Sequence, residues 1–190
     1  MDTRHRTKEG DNYGAVAHRR ALLDADLARL IGRWKITCKD RFGRIKWIDY
    51  IENLVTNVGL DYLLDSALSG GTPITSWFVG LTDGTPTVAA GDTSASHAGW
   101  TEVTAYDEAT RVAWSDGGVS SQSVSNSGSP AQFTISANGT TIGGAFLISV
   151  STKGGSTGTL YAVGAFSAGD KLLDDNDTLD VTATFTAAAA

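Results

Sequence analysis

From Thr75 onward the chain is cut into short pieces by turn signals. They are Asp83-Gly84, Asp116-Gly117-Gly118, Asn126 to Pro130, Asn138-Gly139, Lys153-Gly154-Gly155 and Asp170. Glycine, asparagine and aspartate favour tight turns for steric and hydrogen-bonding reasons, and the apolar runs between them have strand length. Strands are expected near 76–82, 99–106, 111–115, 119–125, 131–136, 142–150, 159–166 and 178–186. Short strands with no long helices between them predict a mainly β chain, an antiparallel β-sandwich or jelly-roll-like body. The 22 glycines and only 3 prolines suit many tight turns.

Upstream the pattern differs. Residues 1–14 are polar and charged, without apolar period. From Ala15 to Ile31, Val16, Leu22, Leu23, Leu27, Leu30 and Ile31 recur near helical spacing, and Gly32 follows as a stop. One amphipathic helix is expected there, whose apolar stripe needs either its own domain or a neighbouring subunit. Trp34, Ile36 and Cys38 then alternate with Lys35, Thr37 and Lys39, and Arg41-Phe42-Gly43 separates them from a second run, Arg44 to Val55. The second run alternates less cleanly. Together they predict a β-hairpin. Val58, Leu60, Leu63, Leu64, Ala67 and Leu68 predict a short helix over about 57–69, ended by Gly70-Gly71. Two regions result: a basic N-terminal arm with its helix (1–33) and a β body (34–190).

Charge follows the same division. Residues 1–50 hold 12 Lys and Arg against 7 Asp and Glu; residues 51–190 hold 3 against 14. An acidic body disfavours nucleic acid, and the arm is either solvated or drawn to an acidic partner. No run approaches the roughly 18 apolar residues that span a bilayer. The opening MDTRHRTKEG lacks the apolar centre of a secretory signal, so neither export by the general route nor membrane embedding is expected. A single cysteine, Cys38, leaves no partner for a disulfide within the chain.

Candidate chemistry is sparse. His5, His18 and His97 fall in different expected elements, whereas a zinc site pairs its ligands locally. His97 lies in Ser94 to Trp100 beside two serines, with no nucleophile-elbow pattern, so a backbone-fixing role is expected over catalysis. Asp170, Asp174, Asp175, Asp177 and Asp180 crowd one segment without the spacing of an EF-hand loop. That segment reads as a calcium site, a solvated turn or a docking surface for a basic neighbour. The five tryptophans (34, 47, 77, 100, 114) read as core, with a sugar-binding platform as the alternative. No catalytic residue, cofactor or metal ligand is assigned, and no enzyme activity is expected.

Several stretches together resemble tailed-bacteriophage virion proteins: Asn53 to Asp65, Trp77 to Leu81, Ala90 to Thr93, Ser96 to Glu102 and Arg111 to Trp114. Thr141 to Leu147, Gly158 to Tyr161 and Asp177 to Thr184 continue the likeness, which covers about 34–186. The resemblance implies a capsid decoration, or cement, protein. Such a protein is a jelly roll present in several copies, bound to the major capsid protein and to itself. It is assembled in the bacterial cytoplasm and sits on the virion surface. A tail or fibre-adaptor protein is the neighbouring alternative, and a carbohydrate-binding sandwich a more distant one. The residues expected to meet a partner are Arg19, Arg20, Leu22, Leu23, Leu27 and Arg29 from the arm, with His97 and Trp100 from the long loop.

Overall fold

The structure, a computed structural model, describes residues 29–188. The expected arm helix falls largely outside them, as do Arg19, Arg20, Leu22, Leu23 and Leu27. Its last three residues are described, and they are strand. The first strand, β1 (Arg29–Lys39), runs through the expected boundary at 33/34 and pairs with β12 (Thr178–Ala188) from Arg29↔Ala188 to Lys39↔Thr178. The reason is a competing period. Leu30, Gly32, Trp34, Ile36 and Cys38 form one inward-facing row in steps of two, with Trp34, Ile36 and Cys38 fully buried. A long partner strand rewards that row along its whole length.

β1 turns into β2 (Ile45–Val55) as a hairpin. The Asp40 carboxylate accepts from the Phe42 and Arg44 amides, and Gly43 supplies the positive φ of +78° that the turn requires. Beyond β2 comes α1 (Asn57–Leu64), capped by Thr56, whose hydroxyl accepts from the Gly59 amide at 3.1 Å. The helix widens into a π-type turn over Asp65–Ser69 and stops at Gly70, where φ is +75°. The remaining strands are β3 (Phe78–Thr82), β4 (Glu102–Val103), β5 (Val112–Ala113), β6 (Ser123–Ser125) and β7 (Ala131–Thr134). They are followed by β8 (Thr140–Ile142), β9 (Gly144–Ile148), β10 (Leu160–Ala165) and β11 (Lys171–Leu173).

All strand pairs are antiparallel, and ten strands form one sheet in the order β4-β3-β9-β10-β2-β1-β12-β6, with β5 beside β3 and β7 beside β12. β8 and β11 make a separate two-stranded ribbon. The large sheet curls into a half-barrel, so the expected layers are two flanks of one sheet. Its margins meet where Tyr106 bridges Ile135, stitched by Asp107 N–H to Thr134 C=O at 2.8 Å and Ser136 N–H to Ala105 C=O at 3.2 Å. Inside the curl lies the main core, with Trp34, Ile36, Ile51, Leu81, Phe133, Ile135, Leu147 and Val181 essentially inaccessible. A second core of Trp100, Phe146, Ile148, Leu160 and Val163 lies apart from it. β9 is buried along its whole length because it serves both, Ala145 and Leu147 inward, Phe146 and Ile148 outward. Among the described residues no helix is long and apolar enough to cross a membrane.

Candidate functional site

The loop between β3 and β4 is the cover of that second core. Asp83 closes its base by accepting from the Thr101 amide at 2.9 Å, while the Asp83 amide donates to the Thr101 carbonyl. Asp92 works from the middle: its Oδ2 accepts from the Ala89 amide at 3.0 Å and from the Trp100 indole Nε1 at 2.9 Å. The indole so held packs on Phe146, with ring centroids 5.2 Å apart. The Asn57 amide, donating to the Ala90 carbonyl, ties the loop to the start of α1.

His97 stacks on Trp100 with centroids 3.9 Å apart and ring planes 18° from parallel. Its Nδ1 lies 2.9 Å from the Trp100 carbonyl oxygen. A carbonyl only accepts, so Nδ1 carries the proton. Ser94 is buried and donates to the Thr157 carbonyl at 2.8 Å. Histidine and serine therefore each hold backbone in place. His97 and Trp100, expected to meet a partner, are indeed together, but Trp100 is only 6% exposed and its side chain faces inward. Beside them Arg111 and Glu102 form a buried bidentate pair, Nε to Oε1 and Nη2 to Oε2 both at 2.8 Å. Arg111 also donates to the carbonyls of Val150 and Gly155, which leaves the pair well satisfied.

The acidic segment 170–180 finds its basic partners within the chain. Lys46 Nζ lies 2.6 Å from Asp177 and 3.1 Å from Asp174, and Lys39 Nζ lies 2.5 Å from Asp180. Asp177 also accepts from the Asp174 amide, and Asp170 holds Thr85, whose φ is +40°. The contact with Asp177 is the main cause that raises the Lys46 ammonium, against the desolvation that lowers it. None of the three sequence readings describes this arrangement: the segment is a turn paired with Lys39 and Lys46 of the chain's own hairpin. Asp175 is left on the outside.

Three open surfaces stand out among the described residues. The first is the outer face of the β1–β2 ribbon. Ile48, Tyr50 and Leu54 project from β2, with Ile31 from β1 on the same face, and they are 44, 57, 36 and 49% exposed. Lys35 and Thr37 of β1 and the wide, solvent-exposed Arg33–Glu52 pair at 3.7 Å lie among them. The second is the hairpin tip, where Phe42 is 70% exposed and the Arg41 and Arg44 guanidiniums stand 5.1 and 5.2 Å from its ring centre. The third is a groove of about 310 Å3 between α1, β5 and β6. Tyr62, Trp77, Tyr161, Phe185 and Trp114 run through it edge to face, centroids 5.2–6.0 Å apart. None of the five tryptophans is exposed, and Trp77 and Trp114 share this groove.

The open ribbon face was missed by sequence reasoning, although a signal was present. Ile45, Trp47, Asp49 and Ile51 alternate with Lys46, Ile48, Tyr50 and Glu52, so β2 has apolar residues on both faces. A strand with one solvated face ordinarily keeps that face polar. Arg29 was placed in the arm; it stands in β1, opposite Ala188. No family model, no curated protein and no solved structure matches this chain.

Proposed function

We propose that the chain is a non-enzymatic structural protein that works by surface contact, as a decoration protein bound to the major capsid protein of a phage shell. The observation that carries the contact reading is the apolar row of Ile31, Ile48, Tyr50 and Leu54 left open on the outer face of the rigid β1–β2 ribbon. Apolar side chains gathered on one rigid face favour association with a second protein surface. The choice of a shell as partner rests on the resemblance of residues 34–186 to virion proteins. Symmetric copies suit such a role, because weak contacts repeated over a lattice sum by avidity. His97 and Trp100 serve here by shaping the loop, not by touching the partner.

Cryo-electron microscopy of intact particles from the source tests this reading. Ordered copies over the shell, with the Ile48–Tyr50 face against capsid subunits, are expected. Density only at the portal vertex or along the tail would replace the decoration reading with that of a tail adaptor. Absence from the particles would overturn both. The carbohydrate-binding alternative has less support, since the tryptophan rings of the groove pack edge-on against other aromatics instead of offering a flat open face.

A further inference from the structure

The aromatic groove and the start of β1 lie at the same end of the sheet. Arg29 pairs with Ala188, and three residues along β12 from there, about 10 Å at strand rise, stands Phe185, which pairs with Val124 of β6. Phe185 and Val124 are walls of the groove, with Tyr62, Leu63, Trp77 and Trp114. Beside Leu63, α1 and its π-type turn carry a ridge of Leu60, Leu64 and Leu68, which are 42, 59 and 80% exposed. This ridge and groove form an apolar surface with the exposed carboxylates Asp61, Asp65 and Asp116 around it and no basic residue in the 57–69 segment.

Twenty-eight residues precede Arg29, and their larger aliphatic residues are Val16, Leu22, Leu23 and Leu27, with Arg19, Arg20, Asp24 and Asp26 among them. At about 3.3–3.6 Å per extended residue, Leu27 reaches some 7 Å from Arg29 and Leu22 some 25 Å. The groove is within that span. The hairpin tip lies a full eleven-residue strand away, about 36 Å at strand rise, beyond the reach of these leucines. The bare β1–β2 face is also near, but Arg33, Lys35 and Glu52 interrupt its apolar residues, whereas aromatic and leucine side chains run together through the groove and ridge. Arg19 and Arg20 suit the acidic rim, and Asp24 and Asp26 balance them in the segment's net charge.

We propose that the groove is the seat of the chain's own residues 15–28, Leu22, Leu23 and Leu27 covering its aromatic walls and the α1 leucine ridge, with Arg19 and Arg20 against Asp61, Asp65 and Asp116. The tether decides in favour of the chain's own segment over a second copy. A short link holds a segment at an effective concentration on the order of millimolar, above any ordinary concentration of free protein. The inference goes beyond the decoration reading and does not rest on it.

Engineered cysteine pairs in the full chain test the seat, against the background of Cys38, which is fully buried. Under mild oxidation L27C with L64C is expected to close within one chain, at a rate independent of protein concentration. It should close roughly tenfold faster than L27C with I48C, as tethered proximity requires. Predominant dimer formation by the first pair would overturn the proposal in favour of a second copy, and equal rates for the two pairs would overturn it outright. A second readout needs no new cysteine. In the full chain carrying L22D, L23D and L27D, hydrogen exchange at the α1 and 112–124 amides should quicken several-fold. Unchanged exchange would also overturn the seat.

Discussion

The outer side of the curled sheet is finished in two different ways. Over β3, β9 and β10 the chain lays down its own 83–101 loop, and Phe146, Ile148, Leu160 and Val163 are sealed beneath Trp100. Over β1 and β2 nothing among the described residues does the same, and Ile31, Ile48, Tyr50 and Leu54 stand in the open. Both halves put apolar side chains on the outside of one sheet. The difference lies in polar anchoring: the loop is fixed through Asp83, Asp92, His97 and Ser94, each engaged by backbone or by the Trp100 indole. Self-coverage needs such a set of dedicated anchors. A face without one fits a covering supplied by another molecule, which is the basis of the contact reading.

Substitutions should separate the halves sharply. Trp100→Ala removes the central cover and strips Asp92 of its indole partner, so a loss of about 3–5 kcal/mol is expected from large-to-small core changes, read as a lowered urea midpoint. Glu102→Ala leaves the Arg111 guanidinium buried without its carboxylate, a change of about 3–5 kcal/mol for one partner removed. The double variant with Arg111→Met should recover part of that loss, and failure to recover would show that the pair's backbone bonds matter more than its charge.

A smaller effect is expected on the hairpin side. Burial alone would raise the Asp180 carboxyl, but hydrogen bonds from Lys39 and Gln132 outweigh it and hold the group below its ordinary value near 3.8. The native state therefore binds protons less readily than the unfolded chain, and the stability this gives at neutral pH is lost as pH falls below that value. Asp40 and Asp49 are shifted in the same direction; in each, desolvation opposes the shift, and Arg44 and Lys171 respectively prevail. Urea midpoints measured between neutral pH and pH 3 should decline, and the decline should be shallower in Lys39→Met. The smallest effect on stability belongs to Ile48→Ser and Tyr50→Ser, within about 0.5 kcal/mol as for ordinary surface changes. On the proposed function, the same two variants should weaken co-sedimentation with capsid particles. A large stability loss with unaltered binding would reverse the comparison.

Much of this architecture was legible in the residues. The steps of two through Trp34, Ile36 and Cys38 mark β1, and the leucine spacing before Gly70 marks α1. What local pattern missed was decided at long range. Leu30 and Ile31 fit both a helical and an alternating period, and Ala187 and Thr186, at the other end of the chain, make them strand. Trp100 reads as core with the other tryptophans and as a contact residue with its loop, and Phe146 and Leu160, 46 and 60 positions later, decide for the core. β11 is three residues long and hidden among aspartates, so neither period nor composition marks it. The helix spacing of Leu60, Leu64 and Leu68 was correct for the element but not for its buried side, which belongs to Val58, Gly59, Tyr62 and Leu63.

The pairing of β1 with β12 has a consequence for the order of events during synthesis. The β1–β2 hairpin is complete once residue 55 has emerged, yet the strand that closes its other edge begins at Thr178. At elongation of about 5–20 residues per second, the open edge and the Trp34–Ile36 row wait roughly ten seconds for their partner. Contacts so distant along the chain make folding slow, and an unpaired strand edge offers itself to other chains meanwhile. Slow release of the C-terminal strand, or its truncation, should therefore show first as aggregation of newly made chains.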